Sequence, residues 1–206
     1  MEKSDKIEYR RISDIRSEKR KGTNGKEKLI IEGVACTFDT ETVIYKDSDC
    51  ECREKITAKA FDDADMSNVI FNYNHNGRVY ARSTNGTLTL EVKNDGLHIA
   101  AELNADDNGH RELYRDIQTG LIDKMSFAFT VGKSEYAYAQ NKDGTVTELR
   151  TITKIDKVYD VSAVDIPTYD DTSISARNAF AAERERRRTE KETREKLKLK
   201  IKLEGI

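Results

Sequence analysis

The sequence predicts a mainly β, α+β protein whose short strands close into a β-barrel, with a few flanking helices. Three observations carry this. Apolar residues alternate with polar or small ones through most of residues 28–167, the period of a strand. Turn residues interrupt these runs at short intervals. Within that range one segment has a clear helical period. It stands alone instead of alternating with parallel strands, so a barrel is expected over βαβ layers.

Each element follows from its residues. "KLIIEGVACTF" (28–38) reads as a strand, and "CECREKITAKAFDDAD" (50–65) as a strand running into a short helical turn. "NVIFNYNHN" (68–76) begins as a strand and ends in turn residues, and "RVYARS" (78–83) follows. Residues 84–103 predict a hairpin. Leu88, Leu90 and Val92 alternate on one arm, Leu97, Ile99 and Ala101 on the other, and Asp95-Gly96 suits the tight turn. In "NGHRELYRDIQTGLI" (108–122), Leu113 and Ile117 are four apart, Asn108 can cap the start and Gly120 can end the helix. "TVTELRTITKIDKVYDVSAVDIP" (145–167) alternates again, as one or two strands ending at Pro167. From about Ala176 the chain turns helical and highly charged, except that the closing "LKLKIKL" alternates like a strand or an adhesive tail.

The 206 residues suffice for one domain with a substantial core, plus tails. The expected division is a charged extension over 1–28 (a short helix or disorder), a β-barrel domain over 29–177 and a charged, basic tail over 178–206. Residues 183–202 carry a net +5, which leaves −7 on the rest of a chain whose net charge is −2. That helix lacks an apolar stripe with which to dock on its own body. Its Glu content and lack of interleaved aromatics argue against nucleic acid. No apolar stretch is long enough for a transmembrane helix, and the N-terminus lacks a signal-peptide core, so a cytosolic protein is expected. Cys50 and Cys52 are too close in sequence to pair comfortably, and no second CxxC or His-rich stretch accompanies them. Neither a disulfide framework nor a metal site is expected. No nucleotide fingerprint or phosphate loop is present, and no cofactor is expected.

Three polar residues stand apart. In "LIDKMSFAFTV" (121–131), Met125, Phe127 and Phe129 share one parity, while Ser126, Ala128 and Thr130 form a small face. His75, in "NYNHNGRV", sits where the chain changes direction, a place where functional side chains concentrate. Asp160 lies on the Ser162 face of an alternating strand, and a carboxylate there needs a partner. Asp165 competes for that role from the strand end. The two remaining histidines read as a strand-face residue (His98) and an exposed one (His110). A hydroxyl, an imidazole and a carboxylate are the set required for nucleophilic catalysis at neutral pH.

The chain also resembles a known family. "IIEGVACTF", "CREKITAKAF", "NHNGRVYARSTNGTLTLEV", "DGLHIAAEL", "GLIDKMSFAFTV" and "RTITKIDKVYDVSAVDIP" follow in the order and spacing of the prohead maturation proteases of tailed bacteriophages. The fold of that family is similar to that of the herpesvirus assembly protease, assemblin. The resemblance spans about Leu29 to Arg177. It implies a serine endopeptidase that cleaves scaffold, major capsid protein and itself inside the immature prohead, in the host cytoplasm, without metal or cofactor. Residue by residue, Ser126 matches the nucleophile and His75 the general base. Asp160 stands where the family usually has Glu and the herpesvirus relatives have His. Those relatives use an Arg-containing loop to stabilise the oxyanion. Here the loop is "DIPTYDDTS", without Arg, which leaves backbone N–H groups, Arg177 or a water. The herpesvirus likeness also implies a homodimer. The competing reading is a non-enzymatic scaffolding protein that uses the barrel and charged tail for assembly.

Overall fold

The computed structural model describes residues 7–12, 15–21, 27–165 and 169–204. The chain forms strands β1 (Ile7–Ile12), β2 (Ile15–Lys21), β3 (Glu27–Thr37), β4 (Thr42–Lys46), β5 (Cys50–Ile56), β6 (Ile70–Tyr73), β7 (Asn76–Arg82), β8 (Leu88–Val92) and β9 (Gly96–Leu103). Helix α1 (Asn108–Gln118) follows, then β10 (Lys124–Gln140), β11 (Val146–Val164) and helix α2 (Tyr169–Glu204). A 3-10 turn, Ala58–Phe61, follows β5 as expected.

The strands form two sheets rather than a closed barrel. One is seven-stranded, in the order β1-β10-β11-β5-β4, with β6 and β7 attached to β11; the other is β2-β3-β9-β8. Among the described residues no ladder joins them. A barrel closes only where edge strands pair with one another, whereas β1 and β4 end one sheet path and β2 and β8 the other. β10 and β11, in place of short strands, run as one hairpin of 17 and 19 residues. Because β11 is so long, it pairs in parallel with β5 along its first half and with β6 near its end. Register shifts between Ala128 and Ser134 bend the hairpin midway. There Gly132 passes Asp156 so closely that a Cβ would sit 2.4 Å from a carboxylate oxygen.

The two sheets enclose one main core, in which Ile31, Phe71, Leu97, Phe127, Phe129, Ile155 and Val158 are fully buried. α1 closes it with the predicted pair Leu113 and Ile117. Its cap is Asp107, whose side chain accepts from the His110 N–H, rather than Asn108, and Gly120 ends it at φ +76°. His110 is buried, not exposed: its Nδ1 accepts from the Asn104 N–H at 3.0 Å, and burial lowers its pKa.

The N-terminal segment also departs from expectation. In place of a short helix or disorder it supplies an edge strand to each sheet. β1 lies antiparallel on β10, with Arg11 opposite Ser126. It is fastened by a buried ion cluster. Arg10 pairs with Glu8 at 2.5 Å and with Glu54 of β5, and Arg150 of β11 binds both carboxylates at 2.8–3.0 Å.

α2 docks through its first half, contrary to the expected undocked tail. Phe180 is buried in a second, small apolar cluster with Cys50 and Cys52, against Tyr45 and Tyr136. Arg187 stacks on the Tyr138 ring at 3.5 Å. The "LKLKIKL" segment is helix, not strand, and Leu197, Leu199, Ile201 and Leu203 are exposed on it.

Candidate active site

β10, β11 and β6 set side chains in rows across the large sheet. Ser126 of β10 is opposite Ser162 of β11, and Ser162 is beside Asn72 of β6. In the next row stand Tyr9, Ala128, Asp160 and Ile70. β6 then stops at Tyr73. It turns through the two residues Asn74 and His75 and returns as β7, with Tyr73 paired to Asn76. Both loop residues have positive φ, 51° and 56°, as a type I′ hairpin turn needs. Asn tolerates that region well. The second position usually falls to Gly, so His75 is held there at a conformational cost of roughly 1 kcal/mol. The turn is pinned to the end of β11: the Asn74 N–H donates to the Ala163 carbonyl at 2.9 Å, and Asn74 Nδ2 and Tyr73 Oη donate to Asp165.

The turn brings His75 into contact with both rows. Its Nε2 lies 2.7 Å from Ser126 Oγ and its Nδ1 2.6 Å from Asp160 Oδ1. Tyr9 of β1 meets the imidazole edge-on, with ring centroids 4.6 Å apart. The small parity of β10 now has a physical reason. Ser126 and Ala128 lie in the two rows beside the imidazole, while Met125, Phe127 and Phe129 fill the core on the other side.

All three sequence-selected residues therefore meet in one chain of hydrogen bonds. Asp165, the competing carboxylate, does not join it and instead anchors the turn through Tyr73 and Asn74. Two polar neighbours escaped sequence reasoning. Ser162 Oγ lies 2.8 Å from Asp160 Oδ1 and 3.0 Å from His75 Nδ1, and it also bonds to the buried Asn72. The signal for Ser162 was present: it shares the parity of Asp160. For Asn72 there was none, because the β6–β11 pairing is nonlocal.

Asp160 and Ser126 are both buried, at 8% and 6% exposure. A buried carboxylate needs compensation, and here it comes from the imidazole N–H and the Ser162 hydroxyl. For Ser126 to donate its proton, Nε2 must be the acceptor, which leaves the ring hydrogen on Nδ1 facing Asp160. The loop expected to stabilise an oxyanion has its residues 166–168 outside the described ones. Arg177, the other expectation, has its guanidinium over the Tyr45 ring at 4.4 Å. That ring sits on β4, which joins the sheet beyond β5, toward the opposite end of β11. Cys36, Cys50 and Cys52 are all free and buried. Burial, then the neighbouring Cys50, pushes the Cys52 thiol up to about 12, so it is no nucleophile at neutral pH.

A serine hydroxyl bonded to an imidazole that is itself bonded to a carboxylate is the constellation of serine hydrolases. The family comparison narrows this class. Residues 13–187 match the model of the caudovirus prohead serine protease family, and the chain belongs to that family. It is thus a serine protease of phage capsid maturation. None of the curated proteins compared with the chain matches it. Among solved structures, that of the bacteriophage T4 capsid assembly protease, gp21, is similar over 79% of this chain and 100% of that chain. The TM-score is 0.43 and the identity 13%. Among the described residues no helix is long and apolar enough to cross a membrane.

Proposed function

We propose that Ser126 is the nucleophile of this protease, His75 its general base, and Asp160 the carboxylate that orients His75. The observation that supports this most is the unbroken chain Asp160–His75–Ser126, with both links under 2.8 Å. Ser126 Oγ attacks the scissile carbonyl as its proton passes to His75 Nε2. The imidazolium formed faces Asp160 through Nδ1–H, which lowers the cost of charging it. His75 then protonates the leaving amine, and a water attacks the acyl-enzyme with His75 again taking the proton. The shorter Asp serves in place of the family's usual Glu because the β6–β7 turn seats the imidazole directly over β11.

The substrates are the scaffold, the major capsid protein and this chain itself, cut inside the immature prohead in the host cytoplasm. A homodimer is the assembly that the herpesvirus likeness supports, and the Glu content of the tail argues against a nucleic-acid partner. The test is intact mass over time for concentrated wild-type protein and Ser126→Ala, each also co-expressed with the capsid protein. Fragments in wild type alone are expected. Equal fragmentation in both would exclude Ser126 as the nucleophile.

A further inference from the structure

Toward the opposite end of β11 from the active site, two thiols and a carboxylate converge. Cys50 and Cys52 are two apart on β5, so both project from one face, and their sulfurs are 3.4 Å apart. β11 runs parallel to β5 with Glu148 beside Cys52. This sets Glu148 Oε2 3.9 Å from the Cys52 sulfur. The three donor atoms lie within 4.8 Å of one another. They already face one cation. Arg184 Nη2 is 3.2 Å from the Cys50 sulfur and 3.3 Å from that of Cys52, while its Nε donates to the two Glu148 oxygens at 2.9 and 3.0 Å.

Two sulfurs and a carboxylate oxygen form a donor set for a borderline divalent ion. Zinc holds thiolates at about 2.3 Å and carboxylate oxygens at about 2.1 Å in a tetrahedron, which puts two thiolates roughly 3.8 Å apart. The observed separation differs from that by only a few tenths of an ångström. Three protein ligands leave the fourth position for a water. Arg184 is a poorer occupant on charge grounds: it brings one positive charge where the metal brings two, and it hydrogen-bonds to thiols that the metal would bind as thiolates.

We propose that Cys50, Cys52 and Glu148 form a binding site for a zinc-like divalent cation, and that the cation competes with Arg184 for the same three donors. Occupancy then releases α2 from the body at Arg184, one turn beyond its Phe180 anchor. The metal therefore weakens the docking of the charged tail. Cys36 takes no part, since it lies on β3, in the other sheet.

The test uses the full reduced chain and bare metal ions. Titration with Cd2+ is expected to give thiolate-to-metal absorption saturating at one ion per chain. Competition of Zn2+ against a chelating indicator gives the affinity. Cys50→Ser and Cys52→Ser should each weaken binding by at least about tenfold. Cys36→Ser should change nothing. Arg184→Ala should tighten Zn2+ binding about tenfold, the scale of one charge-assisted hydrogen bond removed from the competitor. In wild type, Zn2+ should alter the near-ultraviolet circular dichroism of the tyrosines around Phe180. Should a cysteine variant fail to fold by far-ultraviolet circular dichroism, Arg184→Ala in the native-thiol chain decides. Absorption that survives the Cys50→Ser/Cys52→Ser double variant would overturn the site. Unchanged Zn2+ affinity in Arg184→Ala would overturn the competition.

Discussion

Near its end β11 presents Asp160 and Ser162 to His75; earlier along the same strand Arg150 meets Glu8 and Glu54, which Arg10 also pairs. The second cluster is buried and the first largely so, and both tie distant segments together. They differ in what titrates. The second contains two carboxylates and two guanidiniums, and a guanidinium keeps its proton at any working pH. Its two guanidiniums face its two carboxylates and compensate them, so it holds β1 in place. The first has one carboxylate and no guanidinium. Its balancing group is an imidazole that also touches Ser126 Oγ, and in the proposed mechanism it takes that hydroxyl's proton. A buried polar cluster becomes chemical when one of its members can exchange a proton within the pH range of the cell, and stays structural when none can.

The sharpest break of this comparison is Asp160→Asn. It keeps the shape but removes the charge that fixes the Nδ1–H tautomer. Activity on the capsid protein is expected to fall by about 10⁴-fold, the scale seen when a triad aspartate is so replaced. The remaining rate should rise with alkaline pH, and urea unfolding should change far less than activity. A pH profile that keeps the wild-type shape would remove Asp160 from the orienting role.

Next in size is Arg150→Met. It leaves Glu8 and Glu54 sharing Arg10 alone, and should cost about 3–5 kcal/mol in urea denaturation. Replacing all four members with apolar residues of similar volume should cost much less, because no unpaired charge remains. A single variant milder than the fourfold one would show that the cluster is not internally compensated.

A smaller effect comes from acid. Burial alone would raise the Glu8 pKa, but the hydrogen bond from Arg150 and the charges of Arg10 and Arg150 outweigh it and hold the carboxyl below its ordinary 4.5. The unfolded chain therefore binds this proton first as pH falls. The stabilisation is fully present above about 4.5 and is lost as pH drops through the lower folded value. Unfolding free energy measured from about pH 7 down to about pH 3 should decline in that window, and Glu8→Gln should flatten the decline. The smallest effect belongs to α2. Arg188 pairs in the open with Glu185 and Glu192, and Arg188→Ala should cost less than about 0.5 kcal/mol in the same assay.

Much was legible before the fold was known. The alternation of β10 and β11, the Asp95-Gly96 hairpin and the Leu113–Ile117 helix are local patterns, and a local period survives into any tertiary setting. The resemblance selected Ser126, His75 and Asp160, which the fold brings together. Elements that failed to show themselves depend on partners far along the chain. "IEYRRI" falls in the charged extension expected as a short helix or disorder; it is an edge strand because Glu54 and Arg150 neutralise Arg10 and Glu8. "LKLKIKL" has the alternation of a strand, yet a strand needs a neighbour to satisfy its backbone, and the helix satisfies its own. Strand periods, turn positions and the residues able to do chemistry follow from neighbours along the chain. That Ser162 and Asn72 support His75, that Glu148 joins the two cysteines, and that two sheets form in place of a barrel all follow from contacts between distant segments. Hydrogen-bond periodicity is a property of neighbours in the chain, whereas compensation of a buried charge is a property of neighbours in space.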